Sequence, residues 1–476
     1  MAQTTRTDWD FVVIGGGTAG LVASRTAASL GASTVLIERA RLGGDCLWTG
    51  CVPSKSLIAA ASSATAARSS SLIGRAQTPV PVDFAAVMRH VHAAMERIAP
   101  VDSAESLNAD GVKVITGSAR FTGERTLDVD GRSIRFGQAL IATGGSPVLP
   151  PLDTGVEFLT SETLWDITEL PGSLLVIGGG AIGCEIAQAM ARLGSRVTLV
   201  QRGPRLLPKE EPRASAIIRS ALEVDGVTVH TSRRLASIDG SGRTGTATLD
   251  DGTVIAFDAV LAAAGRTPNS GSLDAAKAGV RLDDRRCVIV DAKLRTSNPR
   301  VWAAGDVTPL PQFTHTAGVN GSTAATNAVL GLSRAADTTA IPRVTFTHPE
   351  VASVGLVTAD VAAAGLTVRT IEHHELDRAI AEDETGGFTS LLVDRRGRVR
   401  GVTIVGPRAG ETLGEASLAV RNGITTSAIA STTHAYPTFN DAFWNAAVAD
   451  VRERVGRGAI GAGIGLLRRL RSARLR

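Results

Sequence analysis

Cysteine is scarce here: four residues in a chain of 476. That is too few for a secreted scaffold held by disulfides. No run of about eighteen apolar residues occurs, so no membrane-spanning helix is expected. The first ten residues, MAQTTRTDWD, lack the apolar stretch of a secretory signal. A reducing, cytoplasmic setting is therefore the expectation. There, a close cysteine pair is more often catalytic or metal-binding than structural. A broad positive surface is also missing. The net charge of +4 conceals six arginines and no acid within residues 457–476, which leaves −2 for the remainder. The basic character belongs to a tail, so no nucleic-acid-binding body is expected.

What the chain has in quantity is glycine, 51 residues, within an ordinary 43% hydrophobic and 20% charged composition. The length suggests roughly two to four domains. Residues 9–14 read as a buried strand, GGGTAG (15–20) as a turn, an Ala-rich stretch as a helix, and 33–39 as a second strand. The pattern returns over 173–202. Gly178, Gly180 and Gly183 repeat Gly15, Gly17 and Gly20 at an offset of 163 residues, and Gln201 stands at the same offset from Glu38.

Such spacing has a mechanical reason. The first glycine makes the turn, the second lets backbone approach a pyrophosphate, and the third packs helix on strand. Glu38 fits the acid that binds a ribose. Two loops imply two dinucleotides, with FAD and a nicotinamide as the economical pair. In the second loop Gln201 removes the acid, and Arg202 offers a cation, which favours NADPH over NADH. The alternative leaves Arg202 a solvated loop residue.

Two of the cysteines, Cys46 and Cys51, share the segment GGDCLWTGCVPSK (43–55). Gly43 and Gly44 free the backbone, and Pro53 sits where a helix can begin. Cys51 then lies near a helix N-terminus, which stabilises a thiolate, and Lys55 adds charge. Nearby residues supply no further metal ligands, so the readings left are a redox pair or two buried thiols. Cys184 and Cys287 fall in an expected helix and strand and read as core. His90 with His92, and His373 with His374, are spaced wrongly to share a metal.

The segment resembles the redox-active stretch of the pyridine nucleotide–disulfide oxidoreductases, closest in pattern to their mercuric-reductase-like and dihydrolipoamide-dehydrogenase-like members. GGGTAG, ATGG, GGGAIGCE, AAGRTPN, AAGDV and FTHPEVASVGL follow in the family's order to about residue 450. The resemblance implies an α/β protein with two Rossmann-like domains and a C-terminal α+β dimerisation domain. FAD would occupy 8–150 with 271–340, NAD(P) would occupy 151–270, and the homodimer interface 341–455. It implies that Cys51 faces the flavin, that Cys46 is the outer thiol, and that Lys55 pairs with Glu185. Arg39, Gly43, Gly44, Thr143, Gly144, Gly265, Arg266, Gly305 and Asp306 would contact cofactor. His315 either touches the flavin ring or caps a helix.

The C-terminal signature departs from the family. HAYPTFNDAFW (434–444) places Tyr436 where glutathione and dihydrolipoamide enzymes have a histidine, and Asp441 where they have its orienting glutamate. A phenol is a poor proton carrier near neutrality. His434 either replaces that base or is a loop histidine without a catalytic role. Mercuric reductases also carry a C-terminal cysteine pair, and no cysteine follows Cys287. The expected activity is NAD(P)H oxidation through FAD and the cysteine pair to a disulfide, metal-ion or quinone-like acceptor. The alternative is a flavin-bearing redox sensor or membrane-docked electron-transfer protein. The tail 456–476 either lies on an anionic membrane as a basic amphipathic helix or stays solvated.

Overall fold

The computed structural model describes residues 8–70, 72, 74–75, 81–152, 154–456 and 458–474. The chain opens with strand β1 (Asp8–Ile14), helix α1 (Thr18–Ser29) and strand β2 (Thr34–Glu38). β1 runs parallel to β2 on one side and to the long strand β4 (Arg132–Ile141) on the other. Strand β3 (Val112–Thr116) extends the sheet beyond β2. Residues 11–14 of β1 and 35–37 of β2 are buried on both faces, which is why they are continuous apolar runs without alternation. Between β2 and β3 stand the short helix α2 (Gly44–Trp48) and helix α3 (Cys51–Arg68).

The second unit repeats the first. Strand β5 (Ser173–Ile177), helix α4 (Ala181–Leu193) and strand β6 (Arg196–Gln201) form a parallel unit, widened by β7 (Thr228–Thr231) and β8 (Ala259–Ala262). The chain then crosses back through β9 (Arg266–Pro268), which pairs with residues 145–147. Strand β10 (Val301–Ala303) rejoins the first sheet against β4, and helix α5 (Thr314–Leu330) packs on α1.

A five-stranded antiparallel sheet over residues 343–406 completes the fold, covered by helices α6 (Ala409–Asn422) and α7 (Asp441–Val455). The two Rossmann-like units and the C-terminal α+β layer are the architecture expected. Cys184 and Cys287 are buried. Cys287 lies beside an isolated bridge and not within a strand, because the 282–288 segment closes on itself around Asp283.

The tail is helical. Helix α8 covers Gly458–Arg474, and its side chains from residue 466 to 474 are exposed. Its Ala, Leu and Arg content outweighs its glycines in helix propensity. Arg457 and Arg476 lie outside the described residues. Among the described residues no helix is long and apolar enough to cross a membrane.

Candidate active site

Cys51 is the first residue of α3, and Cys46 sits on α2 before it. Gly43 and Gly44 hold φ values of +103° and +57°, which side chains rarely adopt, and so turn the chain into α2. Both sulfurs are unbonded. They differ in character. The hydrogen bond from the Cys46 thiol pushes Cys51 down to about 6 against the cost of burial, with help from Thr314 and the Lys55 charge. Cys46 moves the opposite way, because it donates to Cys51 and is itself buried. The pair is a thiol beside a thiolate, at a helix N-terminus that favours the anion. Thr314 Oγ1 lies 3.3 Å from Cys51 Sγ.

Lys55, one turn into α3, places its ammonium 2.9 Å from Glu185 of α4. The other Glu185 oxygen accepts the Phe346 N–H at 2.9 Å, and Lys55 Nζ lies 4.3 Å from the centre of the Phe346 ring. One carboxylate thus joins both dinucleotide units to the C-terminal layer. Gln188, one turn on, accepts from His348 N and donates to its carbonyl.

The dinucleotide loops are built alike. A Cβ on Gly20 or Gly183 would stand 1.9 or 1.8 Å from the carbonyl oxygen of Gly15 or Gly178, so helix and turn are in contact there. The middle glycines are different. Nothing lies within 4 Å of a Cβ on Gly180, and only the Gly44 Cα, at 3.8 Å, on Gly17. These two N-caps, without side-chain caps, are open to an approaching phosphate. Glu38 accepts from Gly16 N at 2.6 Å, and Gln201 accepts from Gly179 N at 2.9 Å. Both therefore sit at the loop where a ribose would be read. The cradle fits a dinucleotide at each loop, and FAD and NAD(P)H are the groups that such loops hold. Arg39 and Arg202 are exposed.

Thr143 donates to the Asn269 carbonyl, and Asn269 N donates to Gly144, so the ATGG and GRTPN turns are tied together. Gly265 leads into Arg266, and Gly305 into Asp306. Arg266 Nε lies 3.3 Å from Asp306, and burial pushes the Asp306 carboxyl up, with Arg266 opposing.

The C-terminal signature is arranged unlike the expectation. Tyr436 is exposed, and its hydroxyl donates to Asp377, which pushes the phenol further up. Asp441 does not orient a histidine. At the start of α7 it accepts from Thr438 N and Oγ1. The partner of His434 is Glu415 of α6, at 2.9 Å from Nε2, while Nδ1 faces the Thr432 carbonyl at 3.0 Å. Two acceptors require two N–H groups, hence the imidazolium. Burial pulls that group down, and the Glu415 hydrogen bond outweighs it, so the net shift is upward. His315 stacks on Phe313, and its Nε2 faces the Pro342 carbonyl, while its neighbour Thr314 meets Cys51.

Sequence reasoning missed Thr314, Glu415 and Asp377. Thr314 opens α5 within the QFTHTAG stretch, where the more reactive histidine drew the reading. Glu415 and Asp377 carry no local motif.

Residues 9–321 match the pyridine nucleotide-disulphide oxidoreductase profile, and 341–447 match that family's dimerisation domain. The chain is 37% identical to the mercuric reductase of Streptomyces lividans, covering 92% of this chain and 95% of that one. It is 34% identical to the dihydrolipoyl dehydrogenase of Geobacillus stearothermophilus, again over 92% and 95%. The Cu(II) complex of the HOCl-induced flavoprotein disulfide reductase RclA from Escherichia coli superposes with a TM-score of 0.83 at 25% identity. That superposition covers 93% of this chain and 100% of the other.

Proposed function

The chain belongs to the pyridine nucleotide-disulphide oxidoreductase family, and from that footing we propose that it reduces a thiophilic metal ion with electrons from NADPH. The observation that carries the choice of acceptor is the C-terminal loop. An organic disulfide leaves as a thiolate and needs a proton from a group near neutrality. Here the phenol of Tyr436 is held by Asp377, and both nitrogens of His434 are engaged by Thr432 and Glu415. A metal ion accepts electrons through a thiolate and releases no thiolate that needs protonating.

Bound FAD supplies the two-electron relay between the nicotinamide and the thiols. Gln201 and Arg202 favour the 2′-phosphate of NADPH. Lys55 and Thr314 keep the Cys51 sulfur ionised, and Cys46 is the outer thiol that meets the acceptor. With Cu(II), one thiol and one thiolate give up two electrons and one proton to form the Cys46–Cys51 disulfide, and two Cu(II) become two Cu(I). The Cu(II) complex of the E. coli neighbour makes this the first metal to test. A homodimer, supported by the dimerisation-domain match, places the 434–441 loop at the interface.

The test is steady-state NADPH oxidation with Cu(II) and a Cu(I)-specific chelator, against glutathione disulfide. Turnover with Cu(II) that Cys46→Ser abolishes is expected, with little on the disulfide. Faster turnover with glutathione disulfide would overturn the assignment.

A further inference from the structure

Arg266 leaves β9 between two carboxylates. Its guanidinium meets Asp45 through Nη2, and its Nε lies 3.3 Å from Asp306. The same Nη2 donates to the Gly145 carbonyl. The side chain is 17% exposed, so the guanidinium is held largely out of water between its two carboxylate partners. A guanidinium so placed balances two carboxylates at once.

The position of Asp45 makes this more than a local ion pair. Asp45 follows Gly44 directly. A Cβ on Gly44 would stand 2.6 Å from the Gly17 Cα, so the turn that carries Asp45 is pressed against the first phosphate loop. Gly17 caps α1 and faces otherwise open space. A carboxylate carried on that turn adds negative charge near the loop and works against an incoming phosphate. Asp306 adds a second negative group on the other side of the guanidinium. Without Arg266 the first loop would be flanked by acids.

We propose that Arg266 neutralises Asp45 so that the first loop can accept the pyrophosphate of FAD. Arg266 is then a positioning residue whose importance depends on Asp45. The inference rests on reading the first loop as the FAD site.

The test is a double-mutant cycle on flavin affinity, read by ultrafiltration and flavin fluorescence on the full chain. Arg266→Met is expected to weaken FAD binding by about tenfold or more, the size of a helix-terminus charge effect. Asp45→Asn alone should bind as tightly as the parent or tighter. The double variant should bind clearly more tightly than Arg266→Met, recovering the share of the loss that belongs to Asp45, while the share that belongs to Asp306 persists. Arg266→Met binding like the parent would overturn the proposal, and so would a double variant as weak as Arg266→Met. A tenfold loss in Asp45→Asn alone would do the same, and that variant alters only a half-exposed side chain. If Arg266→Met does not fold, Arg266→Lys takes its place. Lysine keeps the charge, so retention within about threefold is expected, and a tenfold loss overturns the proposal. A parent protein purified without any flavin would instead sink the cofactor reading itself.

Discussion

Lys55 and Glu185 meet at 2.9 Å across the boundary between the two dinucleotide units, with Glu185 buried and Lys55 about one-third exposed. Lys55→Met leaves that carboxylate with only the Phe346 N–H. A stability loss of about 2 kcal/mol is expected, discounted for the exposure of Lys55. The same variant removes a cation that favours the Cys51 thiolate. A reduced-enzyme charge-transfer band weaker at pH 7 than the parent's, together with a lowered Tm, checks both effects.

The thiolate of Cys51 sets a pH window. Its value is depressed to about 6, so the ionised form is present above that pH and is lost as pH falls through it. Long-wavelength thiolate-to-flavin absorbance in the two-electron-reduced protein should hold from pH 8 to 7 and fade near 6. Thr314→Val removes a hydrogen bond to the charged form and should move the midpoint upward by up to about one unit. A midpoint that does not move would assign Thr314 a packing role only.

Glu415 holds His434 as an imidazolium, above its ordinary value. A raised histidine stabilises the fold fully below the unfolded value near 6.5, and this is lost as pH rises through the folded value. Glu415→Gln should therefore lower Tm more at pH 5.5 than at pH 8. The His434 ring-proton resonance, followed by NMR, should titrate at lower pH in the variant.

His373 behaves in the opposite sense. It is fully buried against Gly387 and Gly406, with one nitrogen on Thr389, and burial pushes it down to about 4. The unfolded chain takes up a proton near 6.5 and the folded chain does not. Stability falls between those values by roughly 3 kcal/mol at about 1.4 kcal/mol per unit. His373→Gln should flatten the urea-unfolding free energy between pH 6.5 and 4.

The loop glycines divide into two kinds by what surrounds them. Gly180→Ala enters open space at φ −79° and should leave Tm unchanged while raising the nicotinamide KM by about tenfold or more. Gly183→Ala drives a methyl into the Gly178 carbonyl and should cost about 2 kcal/mol or more in stability. Equal Tm losses for the two would remove the distinction.

The two units were readable because glycine spacing, strand runs and helix composition are local, and a repeat in register confirms itself. The Cys46–Cys51 segment and the Lys55–Glu185 pair were readable through resemblance. The partners of the last loop were not. Glu415 and Asp377 meet His434 and Tyr436 only after the antiparallel sheet and α6 have folded, and nothing in their local sequence announces that. Asp441 looked like an orienting acid because its spacing was right. It serves as a local acceptor because the turn before α7 brings the Thr438 N–H and hydroxyl, three residues upstream, to its carboxylate.

The matching of Glu38 to Gly16 and of Gln201 to Gly179 reveals how little separates the two halves. Backbone, turn and helix are shared, and the divergence lies in the group at the strand's tip. One scaffold, used twice, is differentiated without redesign of its turn or its helix. Residue 201 is therefore the point at which the second loop can be altered while the first stays as it was.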